Sequence, residues 1–195
     1  MLVSSCRLFF CGCLILFAAP FLAADDAPAT RSVEIDSFEL SIPETWKQTQ
    51  PSPAQRRFRK AQFEIPQADG DADPAELVIY HFGPQGGGGV DANLQRWIGQ
   101  FDASGRKAKK TSGESPLGEY VLVDIAGTYN KPIGPPIRQQ TQPMPGARML
   151  GVILHAKKGG NYFFKLTGAE KTVTGAVDGF RASFGAKADS EQDYE

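Results

Sequence analysis

The chain lacks cysteine beyond residue 13. Its three cysteines, Cys6, Cys11 and Cys13, all fall within the first 24 of 195 residues. A domain that follows this segment therefore has no disulfide, no thiolate nucleophile and no cysteine ligand for a metal ion. Histidine is also scarce, with only His81 and His155 in the whole chain. We therefore expect a fold that relies on its hydrophobic core.

The chain also lacks a large excess of charge of either sign. Of its 21 basic residues only Arg7 lies in the first 24 residues, so 20 basic residues stand against 22 acidic ones in the remainder. Domains that bind nucleic acid usually carry a clear basic excess. The balance of charge therefore argues against nucleic acid as a partner.

The first 24 residues have the layout of a secretory signal peptide. Arg7 is the only charge, the run from Leu8 to Phe17 is apolar, and small residues dominate from Ala18 to Ala24. This run is too short to span a bilayer comfortably. Neither Cys6 nor Cys13 closes the run as a lipid-anchor cysteine would. We predict export to the periplasm or the extracellular space, with no stable membrane anchor after cleavage.

The remainder divides into a polar lead at residues 25–31, a single α/β domain at 32–185 and a disordered acidic tail at 186–195. Within the domain, alternating or continuous apolar runs predict five strands. They begin at Phe38, Ala61, Leu77, Tyr120 and Met149, and a sixth returns from Tyr162 after a Gly-Gly turn.

Two segments have helical spacing instead. Leu94, Trp97, Ile98 and Phe101 form one apolar stripe, and Val173 to Phe184 form a second over about four turns. Strands thus come in runs rather than in strict alternation with helices. This order indicates the α+β class, with a mostly antiparallel sheet covered by two helices.

Three segments resemble a family of uncharacterised exported bacterial proteins. They are Phe82–Phe101, Arg148–Gly151 and Tyr162–Val173. The order of elements also resembles the PsbP-like α/β/α sandwich. This second resemblance implies a fold and, because PsbP-like domains serve mostly as binding or accessory modules, a role of that kind. It implies no established activity, and we expect no cofactor.

A glycine run at Gly86–Gly89 precedes the first predicted helix, where a phosphate could bind. The Walker pattern requires Gly-Lys-Ser/Thr, but Val90-Asp91 follows the run instead. The run is therefore interpreted as a flexible connection between strand and helix.

Two histidines and one carboxylate fall in the middle of predicted strands, namely His81, His155 and Asp124. Such a set can bind a non-haem metal ion if the three side chains converge. Because side chains alternate between the two faces of a strand, convergence requires three matching phases. We therefore predict that they form no metal site, and we keep a metal-dependent or hydrolytic enzyme as the alternative function.

Candidate binding residues lie on the first helix and in a proline-rich segment. Trp97 belongs to the apolar stripe and is expected in the core, whereas Asn93, Arg96 and Gln100 lie off the stripe and are candidates to line a cleft. The segment from Lys131 to Pro145 contains five prolines and is predicted to be an unstructured loop. Arg138 is its candidate contact with a partner.

These observations favour an exported, non-catalytic binding or accessory module of the cell envelope. No nucleophile elbow of the Gly-x-Ser-x-Gly type is present. The expected partner is another envelope protein, and the catalytic alternative uses His81, Asp124 and His155.

Overall fold

The computed structural model describes residues 28–134 and 138–195. Within these ranges the chain forms strands β1 (Thr30–Ile35), β2 (Phe38–Pro43), β3 (Lys47–Thr49), β4 (Arg59–Ile65), β5 (Ala75–His81), β6 (Lys107–Ser115), β7 (Gly118–Pro132), β8 (Thr141–Ala156), β9 (Gly160–Ala169) and β10 (Gln192–Asp193), and helices α1 (Val90–Ile98) and α2 (Glu170–Ser183). The predicted signal peptide and the start of the polar lead lie outside the described residues.

Eight strands form one sheet in the order β10-β6-β7-β8-β9-β5-β4-β3. Every neighbouring pair in it is antiparallel. β1 and β2 form a separate antiparallel hairpin. The α+β prediction of a mostly antiparallel sheet covered by two helices is confirmed. No helix in the described ranges is both long and apolar enough to cross a membrane.

One face of the sheet packs against α2 and the β1–β2 hairpin. Val173, Ala176 and Phe180 point from α2 into this core and are almost fully buried. Gly179 lies where α2 crosses the hairpin, and a Cβ there would stand 3.2 Å from Pro43 Cγ and 3.4 Å from Trp46 Cζ2. The glycine that weakens the helix by propensity therefore permits its close packing.

The opposite face packs against α1. Leu94 and Trp97 meet Val123, Met149 and Phe163 in a second core. Trp97 is 5% exposed, which confirms the prediction that it is a core anchor. Its ring occupies the place of a side chain at Gly151, where a Cβ would lie 2.5 Å from Trp97 Cε3.

The segment predicted as a loop from Lys131 to Pro145 instead has strand at both ends, at 131–132 in β7 and at 141–145 in β8. β7 and β8 continue as a two-stranded ribbon in which Asn130 lies opposite Pro143 and Pro132 opposite Thr141. Pairing of β6 and β9 ends earlier, at Ala126 and Ala147. The prolines are tolerated because a strand edge without a further strand does not require the missing N–H donor. The connection is reduced to 133–140, of which 135–137 lie outside the described residues.

The C-terminal residues are not the disordered acidic tail that their composition predicts. A 3₁₀ turn at Ala188–Ser190 leads into β10, which pairs with β6 at the edge of the sheet. Glu191 is buried between them and is hydrogen-bonded. The prediction from composition is wrong here because one buried ion pair, between Glu191 and Arg181, fixes an otherwise solvated segment to the fold.

The polar lead predicted for residues 25–31 also ends early, since β1 begins at Thr30. Arg31 donates hydrogen bonds to the carbonyl oxygens of Pro43, Glu44 and Trp46, at 3.2, 3.2 and 2.6 Å. These bonds tie the first strand to the end of β2.

Candidate functional site

The three residues of the metal hypothesis lie apart. His81 and Asp124 project from the α2 face of the sheet, whereas His155 projects from the α1 face. Strands β8 and β9 separate His81 from Asp124, and the strand register places Asp124 level with Leu77, four residues from His81. No group of three His, Cys, Asp or Glu side chains in the described ranges could hold a metal ion. The structure therefore gives the catalytic alternative no shared centre.

Each of these residues has its own partner. Asp124 accepts two hydrogen bonds from the Arg148 guanidinium, at 2.9 Å from Nε and 2.6 Å from Nη2. His155 is exposed, with Nδ1 2.9 Å from Asn161 Oδ1. His81 Nδ1 lies 3.1 Å from Asp36 Oδ2.

Asp36, in the β1–β2 turn, connects His81 to two further elements. Its carboxylate accepts hydrogen bonds from the Tyr162 hydroxyl at 3.1 Å and from Lys60 Nζ at 3.2 Å. Burial acts to raise the pKa of Asp36, but the hydrogen bonds from His81 and Lys60 hold it below its usual value. This cluster fastens the hairpin to β4, β5 and β9.

Of the candidates on α1, Asn93 supports the fold rather than facing a ligand. It is 1% exposed. Its Nδ2 donates hydrogen bonds to the carbonyl oxygens of Gly87 and Gly89, at 2.7 and 2.8 Å, and its Oδ1 accepts one from Arg96. Asn93 therefore orders the glycine run before the helix, while the exposed Arg96 packs over it.

The glycine run is a packing device as well as a connection. Gly87 has φ of 92°, and a Cβ there would lie 2.4 Å from the Phe163 ring. Only glycine lets this segment approach the sheet so closely. The run holds the chain against Phe163 just before α1 begins.

Gln100, which follows α1, is drawn into a polar cluster around Lys165 of β9. Lys165 Nζ donates to Gln100 Oε1 at 2.8 Å and to the Tyr129 hydroxyl oxygen at 2.9 Å. The ammonium also lies 5.0 Å from the centre of the Tyr129 ring. Gln100 and Tyr129, which are far apart in sequence, thus both accept hydrogen bonds from the Lys165 ammonium.

The surroundings shift the pKa values of Lys165 and Tyr129. Burial lowers the pKa of Lys165 to about 8, Glu76 acts in the opposite sense, and Arg96 and Arg59 lower it further. Burial, together with nearby Tyr80 and Glu76, raises the pKa of Tyr129 to about 12. Near neutral pH, Lys165 is therefore still mostly charged, and Tyr129 stays protonated.

Lys165 lies in a cleft of about 370 Å³ between the sheet and the β7–β8 ribbon. The cleft is lined by charged and polar side chains from β4, β5 and β9, by the ribbon, and by the rings of Tyr80 and Tyr129. One of its walls carries Thr167, whose Oγ1 is buried and has no hydrogen-bond partner among the described residues.

Beside the cleft lies an aromatic patch formed by Phe58, Tyr80 and Phe82. The ring centres of Phe58 and Phe82 are 5.2 Å apart, and the Tyr80 ring is parallel to that of Phe82 at 6.1 Å. Arg57 lies 5.2 Å from the centre of the Phe58 ring and Arg59 lies 5.6 Å from that of Tyr80. The patch is therefore framed by two cations.

A wider cleft of about 670 Å³ lies nearer the start of α1. The polar groups that line it are largely paired with each other or with near neighbours. His155 meets Asn161, Tyr120 donates to Glu191, and Tyr194 donates to Asp91.

Only some of the candidate residues from the sequence analysis lie near the cleft at Lys165. Gln100 contacts Lys165 directly, and Arg96 acts on it through charge. Arg138 is exposed in the connection between β7 and β8, beyond the ribbon residues that line the cleft. The structure does not bring Arg138 together with His81, Asp124 or His155.

Sequence reasoning missed Lys165, Tyr129 and the aromatic patch. A lysine inside the apolar run Phe163-Phe164-Lys165-Leu166 is a detectable signal, because a charge in a central strand needs a special environment. The basic run Arg56–Lys60 around Phe58 is another. The proximity of these residues to each other has no signature in the sequence, since they come from separate strands.

No family model matches the chain, and no curated protein matches it either. Among solved structures, it is similar to the solution structure of cyanobacterial PsbP (CyanoP) from Synechocystis sp. PCC 6803. The two are 13% identical with a TM-score of 0.47, over 88% of this chain and 96% of that one. This likeness concerns the fold alone.

Proposed function

We propose that this chain is an exported, non-catalytic binding or accessory module of the cell envelope, which docks a protein partner on the aromatic patch. The signal-like segment at residues 1–24 supports export. The observation that carries the proposal is the contact between two exposed rings: Phe58 is 39% exposed and Phe82 38% exposed.

Exposed phenylalanine rings in mutual contact have a lower free energy when a partner covers them than when they face water. Aromatic residues and arginine are also the types enriched in protein interfaces. The patch combines both, since Arg57 and Arg59 lie against its rings. A planar guanidinium that stacks on an aromatic ring keeps its hydrogen-bond donors free for a carboxylate.

The charge of this region defines the partner. Arg57 is exposed, Arg59 is half-buried, and Arg96 is exposed on the far side of the glycine run that contacts Phe82 and Phe163. The partner is therefore a protein that presents an apolar surface bordered by Asp or Glu. A folded protein fits better than a small molecule because the patch is open and spread over two strand ends.

A photo-crosslinking amino acid at position 58 tests this docking site in the cells that produce the chain. The expected result is an adduct of defined mass, whose second component is then purified and bound in vitro. The matched control places the same amino acid at the exposed Asp178 of α2, on the opposite face of the sheet, and yields no such adduct.

Binding of that purified component is then compared between charge variants. Arg57→Glu is expected to weaken binding at least tenfold, whereas Lys187→Glu, an exposed charge reversal outside the patch, leaves it unchanged. An adduct of twice the mass of the chain would assign the patch to self-association and overturn the proposal. So would an adduct that is equally abundant from position 178.

A further inference from the structure

Three donor groups at the cleft around Lys165 have an N–H or O–H without an acceptor among the described residues. A lysine ammonium has three N–H donors, and Lys165 Nζ uses two, on Gln100 and Tyr129. Because the Tyr129 oxygen accepts one of these bonds, its own hydroxyl proton remains available. Thr167 adds a buried hydroxyl that has no partner among the described residues. All three residues line the same cleft.

The cleft also lacks a direct counter-ion for Lys165. Within the described ranges no carboxylate lies within 4.0 Å of Nζ, although Arg59 and Arg96 both add positive potential at this point. Glu76, the nearby acid, accepts a hydrogen bond from Gln62 Nε2 at 2.7 Å and lies 3.9 Å from Arg59. A charge removed from water without a counter-ion favours an anionic ligand.

The walls of the cleft restrict the shape and charge of that ligand. The rings of Tyr80 and Tyr129 and the side chains of Val78 and Met144 provide flat and apolar surface. A volume of about 370 Å³ suits a small molecule. The carboxylates of Glu64, Asp73 and Glu76 also line the cleft, so a dianion such as phosphate meets stronger repulsion than a monoanion with an apolar body.

The donors are held in place before any ligand arrives. The backbone N–H of Asn130 donates to the carbonyl oxygen of Gln100 at 2.8 Å, which fixes Gln100 against β7. The rings of Phe101 and Tyr129 pack with their centres 5.2 Å apart. A ligand therefore finds Lys165 already oriented, which lowers the entropy that binding must offset.

We propose that this cleft binds a small monocarboxylate with a flat apolar body, whose carboxylate oxygens accept hydrogen bonds from Lys165 Nζ, the Tyr129 hydroxyl and Thr167 Oγ1. This site adjoins the aromatic patch and shares Tyr80 and Arg59 with it, but binding of a small molecule here does not require protein docking there. It is tested on the purified chain alone, so either proposal can fail without the other.

Benzoate and benzamide are the matched probes, since they share a flat ring and differ in charge. Calorimetric or NMR titration is expected to show binding of benzoate and at least tenfold weaker binding of benzamide. Lys165→Met removes the ammonium and is expected to weaken benzoate binding by tenfold or more. Lys158→Met, an exposed lysine in the β8–β9 turn, serves as the control and keeps the parent affinity.

Two further measurements test the proposal even if Lys165→Met does not fold. Thr167→Val keeps the shape of the side chain and is expected to weaken benzoate binding several-fold while benzamide binding stays the same. In the parent chain, bound benzoate is expected to raise the pKa of Lys165, followed through its Cε resonance. Equal affinity for benzoate and benzamide, unchanged benzoate affinity in Lys165→Met, stronger binding of inorganic phosphate, or no binding of benzoate at millimolar concentration each overturns the proposal.

Discussion

Glu191 accepts hydrogen bonds from both Nε and Nη2 of Arg181, at 2.7 and 3.0 Å, and thereby joins the C-terminal segment to α2. The Glu191 side chain is only 5% exposed. Its carboxylate also accepts hydrogen bonds from Thr111 at 2.9 Å and from Tyr120 at 3.3 Å. One ion pair thus connects α2, β6, β7 and β10.

We expect Glu191→Ala to lower the free energy of unfolding by about 3–5 kcal/mol, because it leaves Arg181 buried without its partner. Urea denaturation at pH 7 measures this loss. Glu195→Ala, at the end of the same segment, is the control and is expected to change stability by less than about 0.5 kcal/mol. An equally small change in stability for Glu191→Ala would contradict the buried ion pair and indicate that the C-terminal segment is a solvated tail.

The same carboxylate predicts how stability responds to acid. Burial acts to raise the pKa of Glu191, but the hydrogen bonds from Arg181 and Thr111 hold it below its usual value of 4.5. The pair therefore contributes stability above that value, and the contribution is lost as the pH falls through the lower pKa of the folded state. The stability difference between the parent and Glu191→Gln should shrink below pH 4.5, as measured by thermal melting across pH 3–7.

Gly151 makes room for Trp97, so a methyl group at this position should be costly. Gly151→Ala is expected to destabilise the fold by about 1–3 kcal/mol, because its Cβ would press on the indole ring. Trp97→Ala should cost about 3–5 kcal/mol. Gly175→Ala, in α2 with open space around the new Cβ, is the matched control and should stabilise by about 0.5–1 kcal/mol. An increase in stability for both Gly151→Ala and Gly175→Ala would contradict the packing of Trp97 on β8.

Lys165 predicts stability that rises with alkaline pH. Its pKa of about 8 lies below the usual lysine value of 10.5, so the unfolded chain binds more protons than the folded one between these values. Stability therefore rises over that window, by roughly 2 kcal/mol between pH 7 and 10. Comparison with Lys165→Met removes the background from tyrosines, whose raised pKa values act in the opposite direction above pH 10. Parallel curves for the two proteins would contradict a depressed lysine pKa.

Arg138 tests whether the connection between β7 and β8 takes part in partner binding. The residue is exposed, so Arg138→Ala should leave the melting temperature unchanged. If the connection reaches the partner docked on the aromatic patch, the same variant weakens binding of the crosslinked component. Unchanged affinity would confine the docking surface to the patch and its arginines.

The strands and helices with the clearest periodicity could be predicted from the sequence. The stripe of Leu94 and Trp97 and the alternation in β2, β4 and β7 are local consequences of which faces are buried. The strand at 131–132 and 141–145 is not predicted from the sequence, because proline is typically a strand breaker. It breaks only strands that need its N–H for pairing, and strand edges are known only after the sheet is assembled.

The sequence by itself determined the class of fold, the buried face of each helix and the signal-like character of residues 1–24, because each depends on residues close together in the chain. Only the tertiary structure decided which polar groups meet. Lys165 and Gln100 lie 65 positions apart, and Glu191 and Thr111 lie 80 apart. Such pairs depend on strand order and on the side-chain phase of every strand between them, and a shift of one residue in one strand turns its side chains to the other face.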